Sequence, residues 1–308
     1  MNIIGHQKII KFLEESIAKD NLAHSYLFAG GDHIGKRLVA KTFAASLVYQ
    51  EKPCFKCLFK TEVLERFHPD IIEVKPLKEK IGINQIRELK GRLALTPFSK
   101  RYKIIIIEEA EKLTKEAANS FLKLLEETPK SSIIILITND LRAILPTVRS
   151  RCQILRFSLP SLKETENYLQ KEYELSPYEA KKFYSLSLGR PGLAIKYLKD
   201  ENLLETVKKQ ALSFIKFLEK KEDIELELAF GIDVKVLSIW LQIVRDIIFA
   251  KLHLPGSCLV PGEKIIEISQ KYSFSELVEK ARNIKKTIFY LNYNVNSQLA
   301  VENLIINL

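Results

Sequence analysis

Residues 30–37 read GGDHIGKR and are the clearest candidate for chemistry in this sequence. They follow a short apolar run, SYLFA, and precede a stretch with helical spacing, RLVAKTFAASLVYQ. A strand, a glycine-rich turn, Gly-Lys and a helix are the layout of a phosphate-binding P-loop, G-x-x-x-x-G-K-[ST]. Gly30, Gly35 and Lys36 match this pattern, whereas Arg37 stands where the pattern has Ser or Thr.

Arg37 changes what this loop can do. In a working P-loop the Ser or Thr hydroxyl ligates Mg²⁺, which neutralises charge during phosphoryl transfer. A guanidinium group has only donors, so Arg37 cannot ligate the metal and we expect hydrolysis to be crippled. Three interpretations stay open. Arg37 contacts a phosphate, or it fills the position of the metal, or the loop is now only a connector between strand and helix.

Polar residues follow two further apolar runs. The run IIII ends in Glu108 and Glu109, the positions of a metal-associated carboxylate and of a carboxylate that polarises water. Glu for Asp moves the first carboxylate by about 1.5 Å, which matters where geometry controls rate. Asn139 follows IIILIT and is a candidate sensor of a γ-phosphate, although a strand-ending turn also has such residues. Each of these signals is weak alone, and they indicate a nucleotide site only in combination with the P-loop.

Two arginines precede the last predicted strand, in the segment PTVRSRCQI. We expect Arg149 and Arg151 at the domain surface, where an arginine is usually a solvated charge. An arginine offered to the nucleotide of a neighbouring molecule would instead be an arginine finger, which stabilises charge in the neighbour's transition state.

Alternating strand and helix patterns surround these residues. Predicted strands cover 25–30, 70–76, 102–109, 131–139 and 152–158. Continuous apolar runs such as IIII are typical of strands buried on both faces of a parallel sheet, so we predict an α/β doubly wound fold. Only helical patterns follow. We therefore predict an α/β domain at 1–159, a small helical domain at 160–200 and a larger all-helical domain at 201–308.

Composition sets wider limits. The chain has 308 residues, a net charge of +10 and a pI near 9.2, which permits nucleic acid or acidic partners. Lysines spread over most helices are equally typical of an ordinary basic protein. No apolar run reaches about 18 residues, and the N-terminus lacks the apolar core of a signal peptide, so we expect a cytoplasmic protein without a membrane span. Cys54 and Cys57, with His68 as a third ligand, fall short of the four that structural zinc requires.

Nine segments together resemble subunits of the bacterial DNA polymerase III clamp loader, an AAA+ assembly, and most closely its delta-prime subunit family. The segments extend over nearly the whole chain: IIGHQKIIKFL, LAHSYLFAGGDHIGK, HPDIIEV, INQIRELKGRLALTPF, YKIIIIEEAEKL, AANSFLKLLEETP, LPTVRSRC, LSLGRPGLAI and LNYNVNSQLAVENLIINL. The pairing of AANSFLKLLEETP with the SRC tripeptide at 150–152 is the most specific part.

The resemblance implies an α/β P-loop (AAA+) domain, a small helical lid domain and an all-α collar domain. It implies gamma/tau and delta partners in a hetero-pentamer that opens the sliding clamp and grips primer-template DNA. Delta-prime subunits are usually poor or inactive ATPases, yet their SRC arginine, here Arg151, completes the site of the adjacent ATPase subunit. Asn139 falls in the first sensor region, and Arg190 in GRPG lies near the second.

Two residues that depart from the family pattern bear on which of two related subunits this chain resembles. Arg37 and Glu108 favour delta-prime over an ATP-hydrolysing gamma/tau-type subunit, which stays the alternative; a free-standing DNA-binding protein ranks last. We therefore expect no cofactor, although the P-loop pattern leaves binding of ATP or ADP open. The family's four-cysteine zinc module keeps only Cys54 and Cys57, because Ala45 and Lys60 occupy the outer positions, so we predict no zinc.

Overall fold

A computed structural model describes residues 3–49, 68–99, 101–129, 131–220, 232–254, 259–292 and 296–308. The chain divides into two compact units, Met1–Pro177 with Gly189–Gly192 and Tyr178–Leu188 with Leu193–Leu308. The predicted three-domain division stays a prediction. In the ranges described, no helix is both long and apolar enough to cross a membrane. Cys54, Cys57 and Lys60, on which the zinc prediction depends, lie outside those ranges.

A five-stranded sheet forms the centre of the first unit. Its strands are β1 (Ser25–Ala29), β2 (Ile71–Val74), β3 (Lys103–Ile107), β4 (Ser132–Thr138) and β5 (Gln153–Arg156), in the order β2-β3-β4-β1-β5. Every pairing is parallel, so all five predicted strands and the parallel sheet are confirmed. The residues of β1, β3 and β4 are buried throughout, as their continuous apolar runs predict.

Helices cover both faces of this sheet, which confirms the doubly wound α/β architecture. The helices of the first unit are α1 (Gln7–Ala18), α2 (Lys36–Val48), α3 (Ile83–Leu93), α4 (Lys115–Glu126), α5 (Pro146–Arg149) and α6 (Leu162–Tyr173). Phe43 of α2 lies in the apolar core on one face, and Phe121 of α4 lies in the core on the other. Two 3₁₀ turns, Ala110–Lys112 and Leu141–Ala143, follow β3 and β4.

The second unit is helical, as the sequence pattern predicts. Its helices are α7 (Pro177–Leu186), α8 (Pro191–Lys199), α9 (Glu201–Lys220), α10 (Val234–Lys251), α11 (Gly262–Lys271), α12 (Phe274–Asn292) and α13 (Ser297–Ile306), of which α7 and α8 begin with residues of the first unit. The core of this unit includes Trp240 of α10, whose ring stacks on Phe214 with centroids 4.5 Å apart. Such stacking adds to the stabilisation from apolar burial.

Asp70 fixes the chain where it enters β2. This buried carboxylate accepts hydrogen bonds from the backbone N–H groups of Phe98, at 2.8 Å, and Ser99, at 2.7 Å. Burial acts to raise the Asp70 pKa, but these hydrogen bonds, together with the Ser99 hydroxyl and His68, outweigh it and hold the pKa below its ordinary value. Asp70 thereby ties the turn before β3 to the strand that carries Glu73.

We predict that Asp70→Ala lowers the free energy of unfolding at pH 7 by about 2–3 kcal/mol, because two backbone N–H groups lose a charged acceptor. The folded-state pKa lies below the unfolded one, so this stabilisation is present above about pH 4 and is lost as the pH falls through the folded pKa. Urea unfolding of wild type and variant at several pH values measures the difference. The gap should narrow on acidification, whereas the exposed Glu88→Ala control should stay near wild type. An equal gap at every pH would contradict this assignment.

Candidate nucleotide site

Most of the predicted nucleotide-site residues gather at the carboxyl edge of the sheet. Parallel strands end at a common edge, which is where open α/β sheets place their ligand sites. The loop 30–35 follows β1, Glu108 follows β3 and Asn139 follows β4. Hydrogen bonds and ion pairs join five of the predicted residues there: Gly30, Lys36, Arg37, Glu108 and Asn139.

Two glycines explain the path of the P-loop. Gly35 has φ 103° immediately before α2, a conformation that favours glycine. A Cβ at Gly30 would lie 2.4 Å from the carbonyl oxygen of Phe157, so no side chain fits there. The backbone N–H of Gly30 donates to the carbonyl of Thr138 at 3.3 Å, which ties the loop to the end of β4.

Lys36 fills the loop from inside. Its buried Nζ donates to the carbonyls of Gly30, at 2.7 Å, and Gly31, at 2.5 Å, and to Asn139 Oδ1 at 2.9 Å. Burial lowers the Lys36 pKa, and the charges of Asp32 and Glu111 oppose that shift. An ammonium group has three N–H donors, so all of them are engaged within the protein and none is left for a phosphate.

Arg37 occupies the acidic side of the site. Its Nη2 donates to Glu73 Oε2 at 3.2 Å, and Lys41 Nζ lies 2.5 Å from the other Glu73 oxygen. Arg37 Nε lies 2.7 Å from Glu108 Oε1 at an angle unsuited to a hydrogen bond, and that buried oxygen accepts none from the described residues. Of the three interpretations of Arg37, this geometry favours the one in which a guanidinium takes the place of the metal.

The two carboxyl groups differ in their hydrogen bonding, and their pKa values shift in opposite directions. Burial acts to raise the pKa of Glu73, but hydrogen bonds and charges from Lys41 and Arg37 outweigh it and lower that pKa. Burial raises the pKa of Glu108, and the nearby cations Arg37 and Lys75 offset only part of this effect. Glu73 and Lys41 were missed in the sequence, although the position of Glu73 near the end of β2 is a signal of the same kind as that of Glu108.

Glu109 and Asn139 also have partners within the chain. Glu109 Oε2 lies 2.6 Å from Lys112 Nζ, so the carboxylate at the water-polarising position is held by a neighbouring cation. The backbone N–H of Asn139 lies 3.3 Å from both carboxylate oxygens of Glu111, a residue that the sequence pattern did not single out. Asn139 therefore links Lys36 to Glu111 within one network.

Backbone contacts close the outer side of the loop. The N–H of Gly192, in the GRPG segment, donates to the carbonyl of His33 at 2.9 Å, and a Cβ at Gly192 would lie 2.9 Å from the same oxygen. His6 Nε2 lies 2.8 Å from the carbonyl of Ile34. Arg190 is half-buried, and its side chain makes no hydrogen bond or ion pair within the described ranges.

These residues do not fit a magnesium nucleotide as they stand. The loop carbonyls and Asn139 already take every Lys36 donor, and a guanidinium stands beside the carboxylate that would face the metal. In the part of the chain that the structure describes, no three His, Cys, Asp or Glu side chains form a metal-binding group. The arrangement is instead that of a P-loop held closed by its own side chains.

Arg151 lies at the opposite edge of the sheet. Ser25, the first residue of β1, donates its hydroxyl to the Arg151 carbonyl at 2.6 Å, whereas the P-loop follows the last residue of β1. Five strand residues correspond to about 16 Å. The Arg151 side chain is 40% exposed and contacts Glu126 and Thr147. Arg151 is thus separated from the P-loop of its own chain by the length of a strand.

We predict that Lys36→Met lowers the free energy of unfolding by about 1–3 kcal/mol, because three oxygen acceptors lose their donor. Relief of the desolvation that lowers the Lys36 pKa limits the loss. Urea unfolding of the isolated chain measures it. Lys112→Met is the matched control, since its partly exposed pair with Glu109 should contribute less than about 1 kcal/mol. Equal midpoints for the two variants would show that the Lys36 ammonium has no structural role.

Comparison with known proteins identifies the family. The family model for DNA polymerase III, delta subunit, matches residues 5–161, which is half of the chain. A DNA polymerase III subunit delta' of Bacillus subtilis (strain 168) is 36% identical over 177 residues, an alignment that covers 56% of this chain and 54% of the relative. The chain thus spans about half the length of this relative. A DNA polymerase III subunit gamma of Buchnera aphidicola subsp. Acyrthosiphon pisum is 25% identical over 324 aligned positions, covering 96% of this chain and 88% of the relative.

A solved structure supports the fold alone. The structure of a single-residue variant of Thermotoga maritima RuvB aligns with a TM-score of 0.50 at 16% sequence identity, covering 77% of this chain and 85% of that one. The match of the family model and the delta' relatives carries the assignment further. The chain belongs to the DNA polymerase III delta subunit family and is of the delta-prime type.

Proposed function

We propose that the chain is the delta-prime subunit of a DNA polymerase III clamp loader and helps to load the sliding clamp on primed DNA. In this proposal it joins gamma/tau and delta subunits in a cytoplasmic hetero-pentamer, and it meets primer-template DNA within that assembly. Its own P-loop is a structural element. Its chemical contribution is Arg151, supplied in trans to the nucleotide of the neighbouring ATPase subunit.

The contrast between the two edges of the sheet carries this proposal. At the carboxyl edge, the chain's own groups engage Lys36 and Arg37, the two cations that would meet a nucleotide. At the amino edge, Arg151 is 40% exposed, and its hydrogen bonds to the described residues occupy two of its five N–H donors. An arginine at that edge is poorly placed for its own P-loop and well placed for another molecule.

The chemistry expected of Arg151 is electrostatic. A guanidinium group beside a transferring phosphoryl group neutralises the charge that develops there, which accelerates the reaction by about 10³–10⁵-fold in known arginine-finger systems. Such a residue needs no nucleotide in its own chain. Family membership and the SRC segment support this role for Arg151, and loss of the P-loop hydroxyl at Arg37 agrees with it.

We predict that Arg151→Ala in the reconstituted assembly slows ATP turnover at the adjacent site by about 10³-fold or more. ATP turnover by the whole assembly should therefore fall by at least the fraction that the adjacent site contributes. Steady-state ATP turnover with clamp and primed DNA measures the effect, and gel filtration checks that the assembly still forms. Arg142→Ala, at a 90% exposed arginine on the other edge, is the matched control. Unchanged turnover in an intact assembly of the Arg151 variant would contradict the proposed role.

An ATP-hydrolysing gamma/tau-type subunit is the second candidate, because the Buchnera gamma subunit aligns over nearly the whole chain. That function requires turnover by the isolated chain that depends on Mg²⁺ and is lost in Lys36→Met. A turnover assay on the isolated wild-type chain separates the two candidates. Absence of ATP turnover by the isolated chain, together with reduced turnover of the assembly in Arg151→Ala, supports the delta-prime function.

A further inference from the structure

We infer that Glu126 is a positioning residue for Arg151, whose guanidinium it holds in one orientation at the amino edge of the sheet. The inference rests on the proposed function, in which Arg151 meets the phosphate of a neighbouring subunit. Glu126 itself touches neither nucleotide nor metal in this scheme. Its role is to order the arginine before the neighbour arrives.

The contacts of Arg151 define a single pose. Nη2 donates to Glu126 Oε1 at 2.7 Å, and Nη1 donates to the carbonyl of Thr147 at 3.1 Å. The backbone is held as well, because the Arg151 N–H donates to the Val148 carbonyl and the Arg151 carbonyl accepts from the buried Ser25 hydroxyl. Both ends of this long side chain are therefore fixed by the same unit of the fold.

In this pose the Arg151 guanidinium can still donate hydrogen bonds to a neighbouring molecule. A guanidinium group has five N–H donors, of which the two described hydrogen bonds use two. No hydrogen bond to the described part of the chain uses the other three donors, and the side chain is 40% exposed. Glu126 therefore orients the group without enclosing it.

The location of Glu126 argues for a role beyond helix stability. It is the last residue of α4, and Glu127 follows as the C-cap, so two acids lie at the end of the helix that favours cations. Each acid has its own cation. Glu126 pairs with Arg151, and Glu127 pairs with Lys90 at 2.6 Å. The two adjacent carboxylates thus provide a test residue and a control at the same helix end.

If Glu126 orders Arg151 before the neighbouring subunit binds, loss of Glu126 should lower the rate of ATP turnover. Fixing a side chain with many rotamers during the encounter costs free energy equivalent to roughly a two- to tenfold loss. We expect Glu126→Gln to lower kcat for ATP in the assembly by this factor, with KM for ATP nearly unchanged. Glu127→Gln should leave kcat at the wild-type value. In an Arg151→Ala background, Glu126→Gln should have no further effect.

The experiment combines that kinetic cycle with NMR of the isolated chain. ¹⁵N spectra of the Arg151 guanidinium report its rotation, which should be restricted in wild type and in Glu127→Gln and free in Glu126→Gln. Unrestricted rotation in wild type overturns the inference. So does a kcat of Glu126→Gln equal to that of the control, a rise in kcat, or an equal loss in the Arg151→Ala background, since that loss would be structural.

Failure of the proposed function has a different signature. If Arg151→Ala itself leaves turnover unchanged, Arg151 is not a finger and the kinetic arm says nothing about the pose. The NMR arm then decides alone. Restricted rotation that is released by Glu126→Gln supports the positioning role of Glu126, and rotation that does not respond to Glu126→Gln overturns it.

Discussion

The candidate nucleotide site depends on the hydrogen bonds that the Lys36 ammonium group donates. A buried cation must find oxygen acceptors, and Lys36 takes them from Gly30, Gly31 and Asn139. The carbonyls come from the loop that would otherwise surround a phosphate, so the loop closes on its own lysine. The same contacts tie the end of β1 to the end of β4 and fix the start of α2. These contacts make the P-loop part of the packing at the carboxyl edge of the sheet.

The same physical requirement recurs around the sheet. Arg37 lies between the carboxylates of Glu73 and Glu108, which would repel one another without a cation there; it donates a hydrogen bond to Glu73 and forms an ion pair with Glu108. At the opposite edge, Arg151 pairs with Glu126 but stays exposed. Lys36 and Arg37 are thus paired within the chain at the carboxyl edge, whereas Arg151 lies at the amino edge, away from the P-loop. Under the proposed function, this separation suits a subunit that donates an arginine to a neighbour rather than one that turns over its own nucleotide.

The sequence predicted the sheet well, because continuous apolar runs such as IIII occur where a strand is buried on both faces. It also identified the loop, through the spacing of Gly30 and Gly35, and it raised the possibility that Arg37 fills the metal position. It did not identify Glu73, Lys41 or Glu126. Their roles depend on which strands are neighbours and which helix ends meet a loop, and neither property is encoded in local spacing.

If the P-loop is closed by its own side chains, the isolated chain should not bind ATP at equilibrium. Titration calorimetry with and without Mg²⁺, beside a gamma subunit of the same assembly as a positive control, is the measurement. We expect no saturable binding up to about millimolar nucleotide, because binding must first break the Lys36 hydrogen bonds and the Arg37 ion pairs. One-to-one, Mg²⁺-dependent binding at micromolar concentrations, lost in Lys36→Met, would contradict this expectation.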